Sequence, residues 1–200
     1  MKKTREEHAA RFDEVAPNYD ENQSDEYRAC VSLVVEHAAP ADDDTVVDLG
    51  CGTGAVGLAL ADEAASVVGR DISEGMLDRA RQKAQRRGLG NVALGQGSFR
   101  SPNYEGPADV VVSNFAMHHL SDAEKREALA VVADLEPRRF VLGDVMFFGE
   151  PDPEEPFYSP AVDDPATVGV LAEALTDAGF SLVAVETVHE QVGVLVAEWT

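Results

Sequence analysis

The stretch VVDLGCGTGAVG, residues 46–57, decides the fold of this 200-residue chain. Its apolar start has the composition of a buried strand, and it passes through glycines into a helical pattern. Glycine lets the chain turn sharply and lets a ligand approach the backbone without meeting a Cβ, and the helix that follows presents unpaired N–H groups. A bare turn accounts for one glycine, whereas Gly50, Gly52 and Gly54 together predict a nucleotide-like ligand.

The glycine spacing alone leaves the identity of that ligand open. Gly52, Gly54 and Gly57 satisfy the dinucleotide-binding pattern, and Asp71 follows at a distance that suits an acid bound to a ribose. Asp48 favours a different ligand, because a carboxylate inside a buried strand is costly without a cationic or hydrogen-bonding partner. A ligand that carries an ammonium group would supply that partner.

Apolar runs alternate with helical patterns over nearly the whole chain, which predicts an α/β domain with a mostly parallel sheet. A capping-box pattern at Thr4 and Glu7 predicts the start of the first helix, which should stop near Pro17. Further helices are predicted over 26–37, 55–64, 73–87, 121–135 and 166–178. Strands are predicted over 45–49, 66–70, 91–96, 108–114 and 140–145, with a closing hairpin at 180–187 and 192–199.

The pattern indicates one domain in two parts, a helical cap over residues 1–40 and a core over residues 41–200. Five prolines and many acids between Gly149 and Pro165 predict a loop, since the strand and helix pattern resumes after it.

The chain is strongly acidic, with 16 basic against 37 acidic residues and a formal net charge of −21. Such a surface repels phosphate backbones, so a nucleic-acid partner is not expected. An excess of acids with few lysines resembles proteins adapted to concentrated salt, which predicts a fold that requires salt.

The sequence also bears on the compartment. No apolar run reaches the roughly 20 residues of a membrane helix, and no apolar stretch follows the first lysines, so neither a span nor a secretory signal is predicted. Cys30 and Cys51 are too few for a disulfide framework and lack the spacing of metal ligands. We therefore expect a cytoplasmic protein.

Four segments resemble one family. Residues 47–54 resemble motif I of the class I S-adenosylmethionine (SAM)-dependent methyltransferases, and residues 68–77 resemble the second-strand segment of that family. Residues 111–120 resemble the segment after the fourth strand in small-molecule methyltransferases, and residues 12–20 resemble the cap of quinone-type C-methyltransferases. The resemblance implies a Rossmann-like fold, with a seven-stranded, mostly parallel sheet, an antiparallel C-terminal hairpin and helices on both faces.

The resemblance also implies SAM as the cofactor and assigns its contacts. Asp48 would favour the methionine ammonium and Asp71 the ribose, and Ser98 stands where the family usually has an acid near the adenine. The full predicted set is Tyr19, Asp48, Gly50, Cys51, Gly52, Thr53, Gly54, Asp71, Ile72, Met76, Ser98, Phe99, Asn114 and Phe115.

Two adjacent histidines, His118 and His119, are the candidates for a general base, and at most one should face the pocket because neighbouring side chains point differently. The alternative is that neither acts as a base, with one histidine packed under the helix and the other in water. No metal site is expected, because neither a Cys nor a third His is nearby in the sequence. His8, His37 and His189 are expected at the surface or its boundary.

The predicted activity is methyl transfer to a small-molecule acceptor by in-line displacement. The acceptor pocket should lie between the cap and the 149–165 loop, with walls from Phe147, Phe148, Phe157 and Tyr158. Two alternatives remain open, a non-catalytic SAM-binding module and an NAD(P)-dependent oxidoreductase that uses the same glycines. The sequence does not indicate an oligomeric state.

Overall fold

A computed structural model describes residues 4–150 and 156–199 of the chain. Its main sheet runs in the order β3-β2-β1-β4-β5-β8-β7, in which β1 to β5 are parallel and the β7–β8 hairpin is antiparallel. This confirms the expected seven-stranded path. The strands are β1 Thr45–Leu49, β2 Ser66–Asp71, β3 Val92–Gln96, β4 Val110–Asn114, β5 Arg139–Phe147, β6 Ala166–Thr167, β7 Phe180–His189 and β8 Val192–Trp199.

Six α-helices cover the described part of the chain, and two 3-10 segments, Ala16–Asn22 and Met117–His119, complete the helical structure there. Side-chain caps fix several starts, as at Thr4, whose capping box opens the first helix as predicted. The helices are α1 Arg5–Val15, α2 Asp25–Ala38, α3 Gly57–Leu60, α4 Glu74–Arg87, α5 Asp122–Asp134 and α6 Val168–Asp177.

Two apolar layers, one on each side of the sheet, hold the fold together. Successive strand residues point to opposite faces, so Val46 packs in the layer of α2 and α3, whereas Val47 packs in the layer of α5 and α6. Every residue of β4 is buried, as its apolar sequence suggests for a central parallel strand. β1 is buried along all but its first residue, and the site lies at the carboxyl ends of β1 and β4.

Two local predictions were wrong. The helix predicted over 55–64 is regular only over Gly57–Leu60, because the positive-φ glycines before it hold the chain in turns. It ends early where the side-chain amide of Asn91 donates to the carbonyls of Ala61 and Ala64, at 2.8 and 3.0 Å. The helix predicted from residue 166 begins at Val168, since Ala166 and Thr167 form the short strand β6, which pairs with β5.

The part of the predicted cap that lies over the edge of the sheet is shorter than residues 1–40. α2 packs directly on β4, β5 and β8, so we use the name cap segment for residues 4–22, which precede it. The cap boundary at residue 40 stays a prediction. Of the predicted loop, residues 151–155 lie outside the described residues, and the rest is turns and irregular backbone up to β6.

Among the described residues, no helix has both the length and the apolar character needed to cross a membrane.

Candidate functional site

A cavity of about 230 Å³ opens at the carboxyl ends of β1, β2 and β4, beneath the cap segment. Thirteen of the sixteen predicted site residues line it, so the structure brings together segments that are far apart in the sequence. Those before β3 are Tyr19, Asp48, Gly50, Cys51, Gly52, Asp71, Ile72 and Met76, and those after β3 are Ser98, Phe99, Asn114, Phe115 and His119.

The glycine turn after β1 forms one wall of this cavity. Gly50 and Gly52 have φ angles of +71° and +51°, a region that favours glycine. A Cβ at Gly50 would lie 2.5 Å from the Cβ of Ala116, whereas a Cβ at Gly52 would meet nothing within 4 Å. Gly50 therefore permits close packing, and Gly52 leaves the backbone bare toward the cavity.

Asp71, at the end of β2, presents its carboxylate to the same space. One oxygen accepts the backbone N–H of Gly52 at 2.8 Å, and the other accepts that of Ser73 at 2.9 Å. Burial raises the pKa of Asp71 despite these hydrogen bonds. Each carboxylate oxygen can accept more than one hydrogen bond, so two ribose hydroxyls could still donate to Asp71.

Asp48 is almost fully buried in β1 and also lines the cavity. One of its oxygens accepts the backbone N–H of Gly57 at 2.9 Å, and burial raises its pKa to about 7. Gly57 is needed here because a Cβ would lie 2.9 Å from that oxygen. The predicted hydrogen-bonding partner exists, yet a single N–H leaves the charged form poorly stabilised without a cation.

The end of the cavity next to β4 is lined by aromatic side chains. Tyr27, which the sequence did not suggest, packs against Phe115 with ring centres 5.1 Å apart and lies 6.4 Å from Tyr19. Burial raises the pKa of both tyrosines, so their phenols are neutral. Asn114 adds a buried amide that lies near the Tyr27 hydroxyl but whose oxygen and nitrogen make no well-formed hydrogen bond to any described residue. Such an orphaned amide invites a polar ligand atom.

At most one of the two histidines faces the cavity, as expected, since His119 lines it and His118 does not. His118 is bonded through Nδ1 to Asp144 at 2.5 Å, and His119 through Nδ1 to Asp163 at 2.7 Å. Neither lies in water, because His118 is 7% exposed and the His119 side chain 16%. The alternative in which one of the two histidines lies in water is therefore wrong.

His8 was also misplaced by the sequence analysis, which expected it near the surface. It is buried, lines the cavity and lies 5.2 Å from His119, ring centre to ring centre. The capping box at Thr4 fixes the register of α1, and this turns His8 inward one turn later.

Thr53 and Gly54 do not line the cavity, contrary to prediction. Thr53 donates to Asp20 of the cap segment at 2.5 Å and accepts from Lys83 at 2.9 Å, while Lys83 also pairs with Asp20 at 2.8 Å. We call these three side chains the cap clasp. Gly54 serves packing, because a Cβ there would lie 2.8 Å from Leu58.

The four aromatics predicted as walls of the acceptor pocket do not line the described cavity. Phe147 packs against Tyr158 and Phe157 against His189, at 5.6 and 5.5 Å between ring centres, while Phe148 packs over Gly193. These contacts hold all four aromatics against β5 and the hairpin, away from the described cavity lining. The cap segment supplies Thr4, Arg5, His8 and Phe12 instead, and Leu120 lies opposite.

Comparison with known proteins places this architecture. A sequence model described as a methyltransferase domain matches residues 46–135, which span the glycine turn, Asp71 and both histidines. The chain contains a class I methyltransferase domain. An uncharacterized methyltransferase of Geobacillus is 35% identical over 132 residues, which are 62% of this chain and 60% of that protein.

Two further proteins are similar to this methyltransferase chain. Aklanonic acid methyltransferase DauC of Streptomyces is 31% identical over 128 residues, or 62% of this chain and 57% of its own. The [4+2]-cyclase SpnF shares the fold with a TM-score of 0.81 and 17% identity, covering 99% of this chain and 97% of its own. The chain spans about 60% of the length of the curated relatives it matches.

Proposed function

We propose that this methyltransferase domain binds SAM in the described cavity and transfers its methyl group to a small-molecule acceptor. The observation that carries the proposal is one cavity with three features of the right chemistry. They are the Asp71 carboxylate beside bare glycine backbone, the buried Asp48 carboxylate and the orphaned amide of Asn114. A nucleoside joined to an amino acid presents hydroxyls, an ammonium and a carboxylate, which match these groups.

Each residue then has a distinct task. Asp71 accepts the ribose hydroxyls, Asp48 receives the ammonium, and Met76 with Phe99 packs on the adenine. Asn114 and Phe115 lie nearest the reacting methyl. When bound, SAM supplies a methyl group on a cationic sulfonium that leaves as a neutral thioether. The task of the chain is to hold donor and acceptor in line at contact distance, which can account for much of the rate.

The acceptor is proposed to be small because the cap segment covers the cavity. Phe12, Phe115 and Leu120 give this end apolar walls. The named activity of DauC, on aklanonic acid, supports a small-molecule acceptor for a relative of this chain. Cys30 and Cys51 are buried free thiols, which supports the cytoplasm as the compartment.

The structure gives little support to the dinucleotide alternative. Gly57 of the dinucleotide pattern faces Asp48, and α3 is only four residues long, so a pyrophosphate would meet a carboxylate and a weak helix dipole. The non-catalytic alternative remains a matter for a methyl-transfer assay, because the fold also occurs in a protein named a cyclase.

Calorimetric titration with SAM, S-adenosylhomocysteine, NAD and NADP tests the cofactor. We expect Asp71→Ala to weaken SAM binding by more than tenfold, since two ribose hydroxyls lose their acceptor, equivalent to about 1.4 kcal/mol. Asp71→Asn keeps an acceptor for one of the two backbone N–H groups, and Asp62→Ala, which removes an exposed carboxylate, is the control. Binding of NAD in preference to SAM would refute the proposal, and SAM binding without tritiated-methyl transfer to cell-extract metabolites would favour the non-catalytic module.

A further inference from the structure

Asp163 and His119 form a buried acid–imidazole pair at the acceptor end of the cavity. Besides its bond to His119, the Asp163 carboxylate accepts the backbone N–H of Ser159 at 2.7 Å, so both of its oxygens are engaged. The Asp163 backbone N–H also donates to Ser159 O at 2.9 Å. This turn fixes the carboxylate relative to the ring, because neither oxygen can rotate away without losing a hydrogen bond.

The segment that carries Asp163 is itself fastened to the histidine turn. Asp164 N donates to His118 O at 2.7 Å. Lys125, 2% exposed, donates through its ammonium to Leu120 O at 2.7 Å and to Asp164 O. A lysine buried this deeply is costly unless its charge is well hydrogen-bonded, and here it joins both sides of the pair. The distance between Asp163 and His119 is thus set by the fold.

The protonation states follow from the surroundings. Although burial opposes it, the bond to His119 and the Ser159 N–H lower the pKa of Asp163, which is therefore ionised. Burial, then the neighbouring His118, lowers the pKa of His119 to about 4, so the ring is neutral near pH 7. An ionised carboxylate accepts only, so Nδ1 carries the proton and Nε2 keeps its lone pair.

We propose that His119, oriented by Asp163, is the general base of this enzyme, and that its acceptor is a hydroxyl on an apolar, aromatic frame. The inference rests on the proposed function. Phe12, at 5.3 Å from the His119 ring centre, and Phe115 supply the apolar surroundings that such an acceptor needs. Tyr19 and Tyr27 are neutral phenols and do not compete for this proton.

The step balances as follows. The acceptor oxygen forms a bond to the methyl carbon, the carbon–sulfur bond breaks with its electron pair going to sulfur, and the hydroxyl proton moves to Nε2 of His119. Asp163 is a positioning residue, since it fixes the tautomer and stabilises the imidazolium that results. The titratable groups that act on His119 or lie beside it are Asp163, Asp144, His118 and His8, and the charged side chains of Arg5, Arg100 and Glu124 line the same cavity.

The first test reads the tautomer without any acceptor. Long-range ¹H–¹⁵N spectra of the imidazole rings are expected to show His119 protonated at Nδ1. In Asp163→Asn the amide can keep its oxygen on Ser159 and donate to Nδ1, which moves the proton to Nε2. Asp177→Asn, an exposed carboxylate paired with Arg126, is the control. An Nε2-protonated ring in the wild type, or no change in Asp163→Asn, would overturn the proposal.

The second test compares two acceptors, phenol and 4-nitrophenol, at mildly alkaline pH, where the second is already ionised. We expect His119→Ala and Asp163→Asn to lose on the order of 10²–10⁴-fold in kcat with phenol and to recover most of it with 4-nitrophenol. Equal losses with both phenols, or no methylation of either while SAM still binds, would overturn the proposal.

The remaining outcomes separate this inference from its foundation. If the wild-type protein does not bind SAM, the proposed function is refuted, whereas the tautomer of His119 is still measured independently. His118, His119 and Asp163 also lie close enough to share a metal ion. Abolition of methyl transfer by a chelator would show that they are ligands and would overturn the role of His119 as a base.

Discussion

Replacing Asp48 by Asn is expected to stabilise the unliganded protein and to impair its binding of SAM. Asn has nearly the same shape, and its side-chain oxygen can still accept the Gly57 N–H that Asp48 accepts at 2.9 Å. The substitution removes a negative charge that is 2% exposed and is held by one backbone N–H. Opposite effects on folding and on binding are the signature of a group kept for function at a cost in stability.

The magnitude follows from the pKa of Asp48, which burial raises from 3.8 to about 7. At 1.36 kcal/mol for each tenfold change in acidity, the ionised form costs about 4 kcal/mol, which is an upper bound. Below pH 3.8 both folded and unfolded chains are protonated, and the cost is absent. As pH rises, the unfolded chain loses its proton first, so stability falls until the pH passes about 7 and then stays level.

Guanidinium unfolding at about pH 4 and about pH 8, with calorimetric titration of SAM, checks both halves of the argument. Asp48→Asn should gain a few kcal/mol at the higher pH, little at the lower, and should bind SAM more than tenfold more weakly. Asp44→Asn is the matched control, because the contribution of Asp44 to stability depends on pH in the opposite direction. Burial opposes ionisation of Asp44, but the Ala41 N–H and Arg138 lower its pKa, so its contribution is lost as pH falls. An equal gain at both pH values would refute the reasoning.

Three further predictions address the glycine turn, the cap and the surface. Gly50→Ala is expected to lower the free energy of unfolding by about 2 kcal/mol, because the new Cβ would lie 2.5 Å from the Ala116 Cβ. Gly52→Ala has open space and should lower the free energy of unfolding by about 1 kcal/mol and mainly weaken SAM binding. Equal losses of stability in the two variants would contradict this. Asp20→Ala opens the cap clasp and should speed SAM dissociation severalfold in stopped-flow experiments. Asp62→Ala breaks an exposed ion pair to Arg87 of the same helix, α4, and should leave the dissociation rate unchanged. Identical rates in the two variants would exclude a role for the clasp. Molar KCl should raise the thermal midpoint, because screening relieves the repulsion of a net charge of −21, and an unchanged midpoint would end the expectation of a salt-requiring fold.

The sequence predicted those parts of the molecule that depend on neighbouring residues. A buried strand that enters glycines, an acid at the end of the next strand and a capping box at Thr4 are all local patterns. For that reason the order of elements and thirteen of the residues that line the cavity could be predicted. The short α3 was missed because its end depends on Asn91, which is contributed by the turn before β3.

Long-range pairs carried no comparable signal. Asp163 lies 44 residues from His119, and Asp20 lies 33 residues from Thr53, in segments whose own patterns indicate only a loop and a helix end. Predicting either pair requires the path of the chain across the edge of the sheet. The cap contact of Thr53 was missed for the same reason, since its side chain was expected at the cofactor and instead bonds Asp20 and Lys83.

The described site is uneven in how well its own groups are satisfied. Both oxygens of Asp71, to which we assign the ribose, already accept backbone N–H groups. Asp48, to which we assign the ammonium, has one hydrogen bond against almost full burial, and the buried amide of Asn114, which we place near the methyl group, lacks a well-formed one. A ligand that supplies an ammonium and a polar atom would relieve both costs. In the proposed binding mode, the methionine part of SAM therefore meets the groups that the unliganded chain satisfies least, an arrangement that would favour placement of the methyl group over tight binding of the adenosine.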